Sequence, residues 1–201
     1  DASMFVGGLR ALLLQSLHPL AMAAVAAHSG YRGDPWGRLQ RTSTFLAETT
    51  FSTIEDADRA VAVVRAVHER VRGTAADGRP YAASDPHLIR WVHIAEVDSF
   101  LRAHDRYGAD PLDRVGRDAY VAETAHVARA LGAVDVPETV AELDELMESY
   151  RPELKGTAEA RAAARFILVH PPVSLALRAP YTLMSAAAIG LMPRWSRWPL
   201  R

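Results

Sequence analysis

From Ala11 to Tyr31 the chain carries no formal charge, the longest such stretch in its 201 residues. A membrane-spanning helix needs roughly 20 predominantly apolar residues. This stretch is rich in alanine and leucine but is interrupted by Gln15, His18, Pro19, His28 and Gly30. The better fit is a buried helix from Leu9 to Ala27, starting after the Gly7-Gly8 break and kinked where Pro19 removes a hydrogen bond. A helix that is apolar on nearly all sides belongs at the centre of a bundle. His18 and His28, on or beside it, read as polar residues satisfied by backbone or capping contacts.

The remaining pattern supplies helices to cover it. Ser29 to Asp34 predicts a turn, and Pro35 suits the first turn of a helix that carries Arg38, Arg41 and Thr42. A long helix from Ile54 to Arg72 follows Ser52 or Thr53 as cap, with Glu55 and Asp56 in its first turn. It stops at Gly73. Thr74 to Ser84 reads as a loop turning at Asp77-Gly78. Ser84-Asp85-Pro86 opens a helix over His87 to His104, with Ile89, His93, Val97, Phe100 and Leu101 inward. Further helices are predicted over Arg114–Leu131, from Val136 to Tyr150, over Ala158–Val169 and over Tyr181–Met192. No alternating β pattern runs longer than a few residues. The expectation is an all-α fold of about seven or eight helices, with residues 1–201 as a single domain.

Composition narrows the function classes. A formal net charge of −1 and a pI near 6.8 argue against a nucleic-acid partner, which calls for a basic face. The absence of cysteine excludes disulfides, zinc–thiolate sites, iron–sulfur clusters and thiol nucleophiles. Lys155 is the only lysine, so the many arginines reflect a coding bias and most need no functional account. A regulator with a helix-turn-helix is rejected because the first 30 residues hold no basic recognition helix. A cytoplasmic location is the expectation. Secretion stays open because the sequence begins at Asp1.

One stretch, Arg38 to Gly73, holds the unusual chemistry. Arg38, Arg41, Thr42 and Phe45 stand at i, i+3, i+4 and i+7 and share a helix face. Val61, Val64, His68 and Val71 form an apolar stripe with one imidazole in it. A core-facing histidine opposite two guanidiniums and a hydroxyl follows. Against this, a lone histidine on an apolar face is more often a satisfied core residue, and Arg38 and Arg41 can pair with Asp34 or Glu48. His93 is the rival inward imidazole. Glu123 and His126 form half of a di-iron carboxylate motif, which needs a second Glu-x-x-His that this chain lacks. Tyr81 and Tyr120 suit pocket walls or plain packing. The tail Ala179 to Arg201, with two tryptophans among arginines, suits a peripheral membrane contact, a pocket lid, ordinary packing or a homodimer contact equally.

Several strings in order, Gly7–Leu20 (GGLRALLLQSLHPL), His28-Ser29, Asp34–Thr42 (DPWGRLQRT), Val67–Gly73 (VHERVRG), Asp77–Pro86 (DGRPYAASDP), Trp91–His93 (WVH) and Tyr120–Glu123 (YVAE), resemble one family. It is the haem-dependent oxygenase family of latex clearing protein, a rubber oxygenase, and of the fungal oxygenase of mycophenolic acid biosynthesis. The resemblance implies a globin-like helical bundle enclosing an apolar pocket around haem b. It also implies dioxygen as co-substrate at the open axial position and a hydrophobic, isoprenoid-like substrate. The family's axial histidine follows an Arg-x-x-Lys-Thr motif. His68 matches the histidine, and Arg38, Arg41 and Thr42 match the motif. Arg41 replaces the lysine, and a guanidinium that stays protonated is a poor axial ligand. We place no match to the family's distal carboxylate.

The residue types suit that chemistry. A haem iron with one open position takes a neutral imidazole from a rigid helix, here His68, with His93 as rival or neighbour. Propionates call for arginines and an oxyanion for a donor, which Arg38, Arg41 and Thr42 supply. The alternative is a non-catalytic helical haem- or apolar-ligand-binding protein that keeps the fold.

Overall fold

The computed structural model describes residues 1–28, 30 and 33–200. Among them are ten α-helices and one two-stranded sheet, so the fold is predominantly all-α. The helices are α1 (Ser3–Gln15), α2 (Pro19–His28), α3 (Pro35–Phe51), α4 (Ile54–His68) and α5 (Pro86–Tyr107). They continue with α6 (Arg114–Leu131), α7 (Val140–Ser149), α8 (Ala158–Val169), α9 (Leu175–Leu191) and α10 (Arg194–Arg197).

Local chemistry sets most of the starts. The Asp34, Asp85 and Asp113 carboxylates accept from the first-turn amides of α3, α5 and α6, and the Thr53, Thr139 and Thr157 hydroxyls do so for α4, α7 and α8. Pro35 and Pro86 sit in first turns, where a missing N–H costs nothing. Gly132 closes α6 at φ 109°, a left-handed position that a side chain resists.

The core is built on α5, whose Trp91, Ile94, Ala95 and Ala103 are fully buried. α1 lies along it, and its Leu13 and Leu14, with Leu17 just beyond its end, pack into one cluster with Trp91, Ile94, Val97 and Leu101. Gly7 permits the approach, because a Cβ there would stand 2.7 Å from Phe100 Cδ1 and 3.2 Å from the Ser99 carbonyl. Arg10 is buried in the same interface. It reaches Asp98 at 2.7 Å and donates to Ser99 Oγ (2.7 Å) and the Leu191 carbonyl (3.1 Å). Asp98 also accepts from Arg102, which bonds Asp144 of α7, so each buried charge has a partner.

Several boundaries differ from expectation. The apolar run is two helices, α1 and α2, meeting at 105°. Pro19 opens α2 instead of kinking one rod, because proline is better placed at a first helical position than inside a helix. No single helix among the described residues is long and apolar enough to cross a membrane. The helix expected to run to Arg72 ends at His68. Arg72–Thr74 (β1) then pairs antiparallel with Pro80–Ala82 (β2), so the expected loop is a small hairpin. Its turn is at Gly78, φ 85°, as the Asp77-Gly78 signal predicts. Gly73 faces Tyr81, whose hydroxyl lies where a Cβ would stand, and that close fit favours pairing over another helical turn. α3 is 17 residues long, longer than α4. α9 begins at Leu175, not Tyr181, and carries Pro180 within it. The expected turn at Ser29–Asp34 falls partly on Ser29, Tyr31 and Arg32, outside the described residues.

Candidate active site

His68 is the last residue of α4, half-buried. Its Nδ1 is closed off from solvent and has no hydrogen-bond partner. Burial lowers its pKa, with the neighbouring Glu69 charge opposing, so near neutral pH the ring is uncharged and one nitrogen keeps its lone pair. Of its stripe only Val61 is buried, while Val64 and Val71 are half-buried. The other side of α4 exposes Val63 and Val67.

α3 packs on α4 and carries Arg38, Arg41 and Thr42 on one face. No residue of α3 is fully buried. Arg38 is half-buried, and Thr42 is exposed. Arg41 is exposed and meets Asp34 at 3.3 Å, the same carboxylate that accepts from the Gly37 amide at 2.8 Å. Asp34 is therefore the partner of Arg41, one of the two carboxylates the sequence offered. The helix pair keeps the three α3 residues close in sequence and face to one another, next to the helix that ends in His68.

His93 lies in the middle of α5, with Nε2 buried and unpartnered. Burial, helped by the Arg129 charge, pushes its pKa down to about 4. One turn further on, Glu96 is partly buried, and burial pushes its carboxyl up to about 7. Across from it on α6, burial and the Glu96 charge raise the Tyr120 phenol. Glu96 and Tyr120 thus meet at the α5–α6 interface, and His93 precedes Glu96 by three residues on the same helix. In the sequence Glu96 offers only a weak signal, its i, i+3 spacing from an inward histidine.

α6 packs on both α4 and α5, and Arg65 of α4 donates to the Ala130 carbonyl at 3.2 Å. His68 and His93 therefore stand on helices that share one neighbour. Glu123 and His126 are exposed on α6. Tyr81 is buried elsewhere, with its hydroxyl 3.2 Å from His28 Nε2. A cleft of about 430 Å³ lined by Asp98, Arg102, Asp144 and Trp195 lies at the Arg10 network and includes neither His68 nor His93.

What these elements define is a helical protein that holds uncharged, unpartnered imidazoles inside its helix packing. The whole chain, residues 1–201, matches the family described as ER-bound oxygenase mpaB/B'/Rubber oxygenase, catalytic domain, and the chain belongs to that family. No curated protein and no solved structure matches it. The family is an oxygenase catalytic domain, which supports oxygenase activity.

Proposed function

We propose that residues 1–201 act as one catalytic domain, a haem b-dependent oxygenase working on a hydrophobic, isoprenoid-like small molecule. The observation that carries this is the His68 ring: uncharged, half-buried, and with a buried Nδ1 that no protein group satisfies. An imidazole in that state is the donor a haem iron takes, so the residues present fit the group. Haem, when bound, supplies the activation of dioxygen. His68 holds it from the end of α4, with His93 as the rival or neighbouring contact. Arg38 neutralises a propionate, and Arg41 and Thr42 offer donors toward the substrate side once Arg41 leaves Asp34. Glu96, with a carboxyl pushed up to about 7, is suited to take and return a proton near neutral pH and answers the want of a carboxylate in the sequence. The exposed apolar side chains of the α3–α4 pair, Trp36, Leu39, Val63 and Val67, suit a surface covered by a macrocycle or apolar substrate.

The test is spectroscopic. The purified chain, expressed with haem supply, is expected to show a Soret band that shifts with dithionite and with carbon monoxide. His68→Ala is expected to lose it, and His126→Ala to keep it. Full haem in the His68 variant, or a featureless spectrum after haem titration, removes this assignment.

A second reading, a non-catalytic carrier of haem or an apolar ligand, is favoured by Arg41, which stands in the lysine position and is paired with Asp34. Stoichiometric haem with no dioxygen uptake across a terpenoid panel selects it. We place the protein in the cytoplasm, with Leu175, Leu177, Leu183 and Trp198 as the exposed surface for a membrane interface or a second copy.

A further inference from the structure

The 105° corner between α1 and α2 places His18 beside two residues from distant parts of the chain. His18 is 1% exposed, and neither ring nitrogen has a hydrogen-bond partner. Its Nε2 lies 3.4 Å from Glu153 Oε2, near but not aligned for a hydrogen bond. Glu153 ends the short 3-10 turn Arg151–Glu153 that follows α7 and is drawn to the corner by nearby Lys155, whose amide donates to the Leu17 carbonyl at 2.8 Å. His87, at the start of α5, brings its Nε2 to 3.0 Å from both Glu153 oxygens. One ligand atom from each of the three residues lies within 4.8 Å of the others.

From this arrangement we propose that His18, His87 and Glu153 bind one divalent first-row transition ion, of which zinc is the probe, separately from any haem. A tetrahedral ion with bonds of about 2.0–2.2 Å to nitrogen and oxygen sets its ligand atoms about 3.4 Å apart. Two of the three edges, His18 to Glu153 at 3.4 Å and His87 to Glu153 at 3.0 Å, stand near that spacing, and the third lies within 4.8 Å. Two imidazoles and one carboxylate leave a fourth position open, and it faces water because His87 and Glu153 are each about two-fifths exposed.

The surroundings support ligation by His87 Nε2. Tyr150 stacks on the His87 ring at 4.5 Å, and its hydroxyl donates to the His87 carbonyl at 2.9 Å. Tyr150 Oη also accepts from Arg90 Nε at 3.0 Å and keeps one lone pair, 3.2 Å from His87 Nδ1, for the Nδ1–H that a metal-bound Nε2 requires; Arg90 Nη2, 3.4 Å from that nitrogen, must then turn aside. The nearby Arg79 guanidinium is held by Asp77 at 2.8 Å, so it is not an unopposed cation beside the site. The bland account is that His87 and Glu153 form a half-exposed ion pair and nothing more. It leaves the buried His18 Nδ1 with no hydrogen-bond partner and Nε2 in only a loose 3.4 Å contact with Glu153.

Chelator-treated protein is titrated with zinc by calorimetry and with cobalt by visible absorption. The expected result is one zinc per chain, a ligand-field band of low-coordinate cobalt, and a Tm that rises with added zinc. His87→Ala and Glu153→Gln change part-exposed side chains and leave the core filled. Each is expected to weaken zinc binding at least about tenfold and to abolish the cobalt band, while His126→Ala leaves both unchanged. Absence of saturable zinc binding overturns the proposal, as does binding unaltered by both substitutions. The readout is metal stoichiometry, with or without haem, so its failure leaves the haem assignment untouched.

Discussion

Glu96 holds its proton more tightly in the folded chain than out of it. Its pKa rises from an ordinary carboxyl value to about 7, so folding stability from this group is full in acid and is lost as pH climbs through about 4.5 to 7. Glu96→Gln removes the buried charge. In thermal melts its Tm is expected to exceed the parent's at pH 8, by a margin worth no more than about 3 kcal/mol, and to match it near pH 4. A margin that does not grow with pH sinks the burial account. His93 runs the other way: its pKa falls to about 4, so its contribution is full above the ordinary histidine value and is lost as pH drops from about 6.5 to 4. His93→Leu is expected to resist that acid loss. His68 and His93 were legible in the sequence because each breaks an apolar stripe. Glu96 was not, since a glutamate on a helix ordinarily faces water. Arg10 was hidden for the same reason, and only three-dimensional partners such as Asp98 and Ser99 explain it.

The α1–α5 pair depends on the missing side chain at position 7. Gly7→Val drives new carbons into Phe100 and toward the Ser99 carbonyl, which is backbone and cannot step aside. The expected cost is about 1–3 kcal/mol in denaturant melts, with the midpoint lowered and the slope unchanged. An unaltered midpoint means that α1 lies farther from α5 than described. Helix starts were legible because caps are local chemistry: Asp34, Thr53, Asp85 and Asp113 each bond an amide two or three residues on. Where the chain departs from the sequence expectation, the deciding contact is distant. His68 ends α4 because β1 is taken up by β2, across the Gly78 turn, and no window around His68 reports Tyr81.

Across the whole molecule, α3 and α4 pack on each other, α4 packs on α6, and no residue of α3 is fully buried. In the function proposed above, it is this pair that haem held at His68 would cover. In hydrogen exchange the α3 amides are expected to slow on haem addition, while those of α5 change little. Equal exchange with and without bound haem moves the cofactor away from α3. The corner between α1 and α2 has a consequence for biosynthesis. α1 finds its cover on α5, and residues 16–85 lie between the two helices. A ribosome makes these two apolar helices well before α5, so α1 and α2 leave the exit tunnel with their greasy sides bare. Closing that long loop governs how fast the chain folds, and how strongly it leans on chaperones until Tyr107 has been translated.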